Sequence, residues 1–431
     1  MTRGPPVLDG RGSWTPQSIY ALALLTLIYT LSNFDRGVLA ILLPLIKQDI
    51  HLSDTTLGLV AGAAFGLFYS LVGIPVARLA DVSNRRNIIG VGVAVWSLMT
   101  LLTGSVVNLW QLAATRLMMG AGEAAAGAPP ISMISDLFPG RQRGLALAVF
   151  TSGVSLSQLV FTPLAGWFGH VYGWRPVYWT AGLVGLVISA VFLATVREPV
   201  RGRWDAKPAA TENRSLAATA AFLGRQKAYL FTVLGGAMVM IAGYGMVIWG
   251  STFLVRVHHL DVAKAAAVTG PIGGVLGLVG AFSAGALVDR LSALDPRWRI
   301  WLPGLACLGI TPAQLLYLFA PSLVGAMIGQ ALYSLLWGML VPLLFAVLIA
   351  LVPARMRSVG VSIYLLVINT VGQIVGPFTV GALNDRLHGA VGDMAIRYSM
   401  TVTASTAAVS GALFLLASIW FVADRARADQ A

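Results

Sequence analysis

Long apolar segments recur along the whole chain and are separated by short polar ones. Each is close to or longer than the ~20 residues that a helix needs to cross the hydrocarbon core of a bilayer. Because the apolar residues are continuous and do not alternate with period two, they predict helices and not the strands of a barrel. The predicted spans are 17–46, 55–80, 87–107, 109–136, 143–170, 174–196, 227–256, 263–289, 299–319, 321–352, 358–384 and 396–423.

One long polar stretch, residues 197–226, divides these twelve spans into six and six. We therefore predict an all-α membrane protein with two six-helix bundles, at 17–196 and 227–423. The other segments are an N-terminal tail at 1–16, the linker at 197–226 and a C-terminal tail at 424–431. The first tail has no apolar segment ending in a small-residue cleavage site, so we expect no cleaved signal peptide.

The composition agrees with a protein that lies mostly in lipid. Hydrophobic residues make up 57% of the chain and charged residues 11%, whereas soluble domains carry roughly 25% charged residues. No G-x-x-x-x-G-K-[ST] loop occurs, so ATP is not expected to drive the protein directly. The five histidines lie in or near loops and no H-E-x-x-H occurs. We expect no cofactor and no metal.

The lysines and arginines predict the orientation. The net charge of +12 does not indicate nucleic-acid binding, because the positive residues lie in the short segments between spans. With the N-terminus inside, 21 of the 29 fall in cytoplasmic segments and six in external ones. Since cytoplasmic loops carry the positive excess, both termini are expected in the cytoplasm. We expect a monomer in the inner (cytoplasmic) cell membrane.

The two bundles contain a repeated sequence. The segment Leu137–Arg143 (LFPGRQR) opens the fifth span and Leu351–Arg357 (LVPARMR) opens the eleventh, at an offset of 214 residues that also carries Pro163 onto Pro377. Parallel repeats of this kind place a substrate site at the interface of the halves, near the bilayer midplane.

A loop motif after the second span carries a family resemblance. Ala77-Arg-Leu-Ala-Asp81 with Arg85 and Arg86 resembles the G-x-L-A-D-R-x-G-R-R loop of major facilitator transporters, and Gly285–Arg290 is its second copy. The first copy departs from the family pattern at three positions, Ala77, Val82 and Asn84. The resemblance implies the major facilitator fold, with two pseudo-symmetric six-helix bundles.

The same loops suggest a gate. We predict that ion pairs and helix-end contacts latch the cytoplasmic side through Asp81, Arg85, Arg86, Arg143 and Asp289. The competing interpretation is that these charges only mark the topology.

Four charged residues lie deep in predicted spans, Asp35 and Arg36 on the first and Arg116 and Glu123 on the fourth. A charge inside a span costs about 2.5–3.5 kcal/mol on insertion scales, so each needs a reason. Arg116 and Glu123 are seven residues apart and share one helix face, roughly 10 Å apart along the axis. Counting residues from the helix ends places Asp35 and Arg116 at a similar depth in the membrane. Asp35 and Arg36 point about 100° apart, so both cannot face one cavity.

These charges suggest proton-coupled binding of an anion. Desolvation raises the pKa of a carboxyl group, and a nearby arginine lowers it. This competition can bring proton binding by Glu123 or Asp35 into the physiological pH range. Arg116 offers a forked donor for a carboxylate or phosphate, and protonation of a carboxylate would free it. The competing interpretation is a permanent buried ion pair that only fixes helix packing.

The first and fourth spans also resemble one family in particular. Asn33–Ala40 (NFDRGVLA), Gly120–Ala124 (GAGEA) and Ser135–Pro139 (SDLFP) are similar to spinster-like transporters, a family that includes lysophospholipid and sphingosine-phosphate transporters. The resemblance covers the first half and implies functional roles for Asp35, Arg116 and Glu123, with Arg36 beside them. Anion:cation symporters for sugar acids share a similar D-R pair and an arginine seven residues before a glutamate.

The second half contains no deep charge, which favours an amphipathic substrate. Candidates for its cavity wall are Tyr244, Trp249, Tyr333, Trp337, Tyr364 and Asn369, although each alone is also explained by packing. We predict secondary transport of a lipid-like organic anion, such as a lysolipid or sphingoid phosphate, by proton-coupled alternating access. The alternatives are a proton symporter for small organic anions such as sugar acids, and a membrane receptor without flux.

Overall fold

The computed structural model describes residues 14–202, 204, 216–353 and 356–430. The N-terminal tail before residue 14 and residues 203 and 205–215 of the predicted linker lie outside this part. The described residues contain helices, turns and loops and no strand. The helices that correspond to the predicted spans are α1 Pro16–Ile50, α2 Asp54–Val82, α3 Arg85–Thr103, α4 in two segments Leu109–Glu123 and Ala128–Leu137, α5 Gly140–Tyr172, α6 Trp174–Thr195, α7 Lys227–Val257, α8 Val262–Ser292, α9 Trp298–Phe319, α10 Leu323–Leu351, α11 Arg357–Val391 and α12 Ala395–Gln430.

The predicted set of twelve spans is confirmed, with one broken helix. Ten described helical stretches are long and apolar enough to cross a membrane, and the last, Val359–Gln430, contains both α11 and α12 divided by a turn at Gly392–Met394. The fourth span is interrupted by a 3₁₀ turn at Ala124–Ala126, directly after Glu123. Proline at the start of the second segment suits this break, since a proline there needs no backbone hydrogen bond.

The last helix continues beyond the predicted end of its span at 423. The first residue past that point, Asp424, is buried. Its Oδ2 accepts a hydrogen bond of 2.7 Å from the backbone N–H of Ala228, near the start of α7. A carboxylate there satisfies an otherwise free donor and complements the positive end of the helix, and α12 stays helical to Gln430.

The helices form two bundles that meet through equivalent pairs. Within the first half α3 packs on α4 and α6, and within the second α12 packs on α7 and α9. Between the halves, α2 packs on α11 and α5 packs on α8. The internal repeat relates α2 to α8 and α5 to α11. The α2–α11 and α5–α8 contacts are therefore pseudo-symmetric copies of each other. They give the interface the twofold character that the repeat predicts.

Glycines allow this interface to be tight on one side. A Cβ at Gly58 or Gly62 of α2 would overlap the backbone of α11, and one at Gly270 of α8 would lie 2.5 Å from the carbonyl oxygen of Gln158. These contacts involve the beginning of α2 and the end of α5, which lie away from the linker. We call that side the opposite face and the other the linker face. The halves are packed together on the opposite face, and the α2–α11 contact becomes sparse toward the linker face.

A buried acidic residue ties the halves together at the opposite face. Asp54 is only 2% exposed. It accepts hydrogen bonds from Lys47 Nζ at 2.5 Å, Arg256 Nη2 at 2.8 Å and Asn384 Nδ2 at 3.0 Å. The carboxylate of Asp385 in turn accepts the backbone N–H of Asp54 at 3.1 Å. Three of these partners come from the second half. We call these contacts the Asp54 network, and they hold the opposite face closed by charge-assisted hydrogen bonds in addition to the close helix packing.

The glycine contacts predict a way to open this face. A Cβ at Gly381 of α11 would overlap the carbonyl of Asp54, whereas one at Gly389 of the same helix would meet nothing within 4 Å. Gly381→Ala should therefore shift the protein toward a state that is open on the opposite face. Spin labels at His51 and Val391, in a background without the buried Cys307, should show a longer distance population.

Gly389→Ala is the matched control, because both substitutions raise helix propensity equally. It should leave the distance distribution of the parent unchanged. Identical distributions for the two variants would show that the close approach at Gly381 does not hold this face closed.

Candidate functional site

A buried ion pair joins α1 and α4 at the centre of the first half. Glu123 is fully buried, and its Oε2 accepts hydrogen bonds from Arg36 Nε at 2.7 Å and from Ser32 Oγ at 2.9 Å. Its second oxygen, Oε1, has no hydrogen-bond partner in the described part of the chain. The pair links positions 87 residues apart, and Ser32 and Arg36 lie one helical turn apart on the same face of α1.

The guanidinium of Arg36 is partly open. Its side chain is 33% exposed, and its carbon lies 5.3 Å from the ring centre of Phe65 and 4.7 Å from that of Tyr69. Both rings belong to α2, and such stacking favours a cation. Among the described residues only Nε of Arg36 makes a hydrogen bond. The two terminal amino groups thus remain available as a fork that suits a carboxylate or phosphate.

The second half adds uncharged polar groups to this region. Tyr244 of α7 donates to Asn369 Oδ1 at 2.9 Å and accepts from Gln373 Nε2 at 3.1 Å. Gln373 lies against Gly66 of α2, where a Cβ would come within 2.6 Å of its Oε1. Tyr244 is near enough to Arg36 to interact with it electrostatically. The predicted residue Asn369 is therefore part of a polar network next to the Arg36–Glu123 pair.

Arg116 lies elsewhere. It is 2% exposed and donates to the backbone carbonyl of Asp35 at 3.3 Å and to Tyr178 Oη at 3.2 Å. Glu123 pairs with Arg36 and not with Arg116, because Arg116 and Glu123 are seven positions, or two helical turns, apart along α4. The structure does not bring Arg116, the sequence-based candidate for the anion site, to a cavity. Arg36 takes the exposed position.

Asp35 points away from Arg36, as their helical offset predicts. Its side chain is 4% exposed, and Oδ1 has no hydrogen-bond partner among the described residues. Like Glu123, it is a buried carboxyl group with a free oxygen. Such groups are rare because an unmade hydrogen bond in a dry interior is costly.

A cavity of about 610 Å³ lies between the halves, lined by α1, α5, α7, α8 and α10. Its wall contains no charged side chain among the described residues. The apolar part includes Met246, Leu278 and Phe282, and the predicted residues Tyr333 and Trp337 also line it. Gly37, directly after Arg36, belongs to the same wall. The uncharged cavity and the ion pair thus adjoin along α1.

The linker face contains a second charge cluster. Arg85 is 2% exposed, and its Nη1 lies 2.6 Å from Asp136 Oδ2 while its Nε lies 2.7 Å from Glu198 Oε1. The backbone N–H of Arg86 donates to Glu198 Oε2 at 2.8 Å. Arg143 donates to the carbonyl of Ser135 at 2.9 Å. These contacts join residues of the first half to one another and to Glu198 at the start of the linker.

The two gate aspartates take no part in this cluster. Asp81 and Asp289 are exposed, and neither forms an ion pair within the described ranges. The carbonyl of Asp81 accepts a hydrogen bond from Arg201. Since the halves are apart on this face, a latch between them is not formed in this conformation and stays a prediction.

Sequence reasoning missed several residues of these clusters. Asp54, Arg256 and Asp385 were assigned to loops or counted only as topology signals. Tyr69 and Gln373 carry no charge, so nothing in the apolar pattern marks them. A useful signal for Asp54 was available in the helix start Ser53-Asp54, but its burial depends on partners more than 200 residues away.

The Arg85 cluster predicts a loss of stability on neutralising one partner. Asp136→Asn leaves a buried guanidinium with a single carboxylate, and breaking a buried pair costs about 3 kcal/mol or more. The apparent unfolding temperature in detergent should fall clearly. Asp289→Asn removes an exposed charge at the second copy of the motif and should change stability by less than about 0.5 kcal/mol. Equal melting temperatures for both variants would contradict the assigned role of Arg85.

Comparisons with known proteins agree with this architecture. The Major Facilitator Superfamily model matches residues 25–377. An MFS-type efflux pump of Mycolicibacterium smegmatis is 29% identical over 410 residues, covering 95% of this chain and 93% of the pump. Protein spinster homolog 1 of Xenopus tropicalis is 27% identical over 455 residues, covering 96% of this chain and 82% of the homolog.

A solved structure gives the same result for the fold. The crystal structure of a bacterial homolog to the human lysosomal transporter spinster, in an inward-facing and occupied conformation, superposes with a TM-score of 0.84 at 27% identity, covering 95% of this chain and 98% of that one. The twelve helices, the paired halves and these similarities lead to one conclusion: the chain belongs to the major facilitator superfamily of membrane transporters and is related to the spinster transporters.

Proposed function

We propose that this transporter carries an amphipathic organic anion, of the lysolipid or sphingoid-phosphate type, by alternating access. The anionic head would bind the open side of Arg36, and the apolar tail would occupy the cavity between the halves. The observation that carries this proposal is a partly exposed Arg36 side chain next to Gly37, which lines a cavity whose described wall contains no charged side chain.

The state of Arg36 supports the head-group position. Glu123 and the rings of Phe65 and Tyr69 hold the guanidinium in place, so little side-chain entropy is lost when an anion binds. Its free terminal amino groups match two oxygens of a phosphate or carboxylate. The network of Tyr244, Asn369 and Gln373 in the other half lies against Gly66, next to Phe65, and would offer neutral hydrogen-bonding groups to the head.

The shape and chemistry of the cavity support the tail position. A volume of about 610 Å³ is within the range of roughly 300–1,000 Å³ for small-molecule sites. Its methionine and aromatic side chains adapt to a flexible chain. An alkyl chain there would gain about 25 cal/mol for each Å² of apolar surface removed from water.

The two buried carboxyl groups support proton coupling. Glu123 holds Arg36 as long as it is ionised, and a proton on its free oxygen would weaken that hold. Arg36 would then be available to the anion, so proton and anion would bind together. Asp35 has the same kind of free oxygen and is the second candidate for the proton.

Alternating access follows from the asymmetric closure. The opposite face would open when the Asp54 network breaks, and the linker face would close when Asp81, Arg85, Arg86, Arg143 and Asp289 form the predicted latch. The excess of positive residues supports a cytoplasmic linker face, in the inner membrane.

A second candidate function is proton symport of a small polyhydroxylated acid. The observation that favours it is the network of Tyr244, Asn369 and Gln373, which offers hydrogen-bonding groups to hydroxyls close to Arg36. Competition between octadecyl phosphate and glucarate for the solubilised protein separates the two. A receptor without flux would bind but would not transport in proteoliposomes.

Arg36 should determine affinity for the anion, whereas Arg116 should determine stability. Arg36→Lys keeps the positive charge for Glu123 but loses the fork, so the dissociation constant for octadecyl phosphate should rise about ten- to a hundredfold. Arg116→Lys, the matched control, should lower the unfolding temperature and leave the affinity of the folded fraction near that of the parent. Measurement of both quantities on both variants checks this assignment, and the reverse pattern would move the anion site to Arg116.

Glu123 should couple the proton gradient to accumulation. Glu123→Gln mimics the protonated state permanently, so proteoliposomes should lose gradient-driven accumulation of labelled octadecyl phosphate while counterflow exchange continues. Asp393→Asn, which alters an exposed carboxylate outside the predicted latch and the Asp54 network, should behave like the parent. Gradient-driven accumulation by Glu123→Gln equal to the parent would refute coupling at this residue.

A further inference from the structure

One face of α10 places three buried polar side chains in the wall of the uncharged cavity. Gln330, Tyr333 and Ser334 are three and four residues apart, so they share a helix face. All three line the cavity, and they are 8%, 4% and 5% exposed. Neither proton coupling nor the Arg36 site uses them.

The hydrogen bonds of these groups are incomplete. The hydroxyl of Tyr333 and the Oε1 of Gln330 have no partner in the described part of the chain. The contact from Gln330 Nε2 to Ser334 Oγ is long, at 3.4 Å. A buried donor or acceptor without a partner is costly, so such a pair inside a cavity is expected to meet a polar group of whatever occupies that cavity.

A neighbouring tyrosine shows the usual arrangement. Tyr317 lines the same cavity, and its hydroxyl donates to the carbonyl of Gly250 at 2.8 Å. The rings of Tyr333 and Trp337 are stacked with centroids 5.9 Å apart, which fixes the direction of the Tyr333 side chain. Its hydroxyl therefore has a defined position in the cavity without a protein partner.

We propose that this face of α10 is a second binding subsite, which recognises a hydroxyl group on the substrate. The substrate hydroxyl accepts a hydrogen bond from Tyr333 and donates one to Gln330 Oε1, and Ser334 holds the Gln330 amide in place. This inference rests on the proposed function, because it assumes that an amphipathic anion enters the cavity. It goes further by assigning to α10 the selectivity of the protein for hydroxylated alkyl anions over alkyl anions without a hydroxyl group.

Other polar side chains also line the cavity, and Thr151, Ser152 and Thr269 among them already donate to carbonyls of their own helices. Met246, Val247 and Phe282 on α7 and α8 are apolar. A substrate without a hydroxyl would leave Tyr333 and Gln330 unpaired after expelling any water from them. Sites that hydrogen-bond a substrate hydroxyl reject analogues that lack it for this reason.

Two ligands that differ by one hydroxyl test the subsite. Octadecyl phosphate and 2-hydroxyoctadecyl phosphate have the same head and the same chain length. The full-length protein in detergent should bind the hydroxylated ligand about three- to tenfold more tightly, as one or two net hydrogen bonds imply. Tyr333→Phe and Gln330→Met should each reduce this preference, and the double variant should abolish it while the affinity for octadecyl phosphate stays the same or improves.

Tyr317→Phe is the matched control in the same wall. It removes a hydrogen bond to the protein, so it should lower the unfolding temperature and leave the ligand preference intact. Loss of the preference in this variant as well would overturn the assignment to α10.

The remaining outcomes separate the subsite from the head-group site. Equal affinity of the unmodified protein for both ligands means that Tyr333 and Gln330 meet only water, which overturns the subsite but leaves Arg36 as the head-group site. Binding of neither ligand overturns both. A preference that persists in the double variant places hydroxyl recognition elsewhere and also overturns the inference.

Discussion

The buried pair of Arg36 and Glu123 is the interaction on which the functional centre depends. Two opposite charges inside a span are tolerated only together, because removal of one leaves the other uncompensated in a medium of low dielectric constant. The pair therefore fixes α1 against α4, which come from distant parts of the chain. It also holds the arginine with its outer edge toward the interface of the halves, where the rings of α2 support it.

The second requirement is that the halves separate and close again around this centre. Glycines make the contacts on the opposite face shallow and backbone-based, so they can part without repacking large side chains. The Asp54 network adds charge-assisted hydrogen bonds, and bulk water can replace them when this face opens. On the linker face the Arg85 cluster belongs to the first half and the start of the linker, so it moves with that half. Rigid halves and a separable interface are what an alternating mechanism needs.

The sequence predicts much of this arrangement, since a bilayer leaves few options. The spans follow from apolar length, the division into halves from the polar stretch at 197–226, and the paired interface from the internal repeat. The importance of four deep charges also follows from their cost. The sequence does not determine which arginine faces the cavity, because that depends on how α1 and α4 are rotated against each other. Arg36 and Arg116 look equivalent until Tyr178 and the carbonyl of Asp35 are seen to surround Arg116.

The remaining differences have similar causes. The break after Glu123 is an exception with a local cause: it lies at Ala124–Ala126, and Gly127, Pro129 and Pro130 follow it, residues that disfavour a continuous helix. Asp424, in the extension of α12, caps another helix almost 200 residues away in sequence. Uncharged polar residues such as Gln330 and Gln373 lie in apolar segments. The sequence of such a segment does not show whether one of its residues faces lipid, protein or a cavity. Local pattern cannot reveal contacts that only the folded chain creates.

The central claim is that protonation of Glu123 and anion binding at Arg36 are one coupled event. Titration calorimetry with octadecyl phosphate, in buffers of different ionisation enthalpy near neutral pH, measures the protons exchanged for each ligand bound. The difference between the unmodified protein and Glu123→Gln cancels protons exchanged by the phosphate itself. The account predicts a difference of about one proton taken up per anion, because the anion supplies the negative charge beside Arg36 that Glu123 loses on protonation. Equal proton exchange by the two proteins, with intact binding, would contradict it.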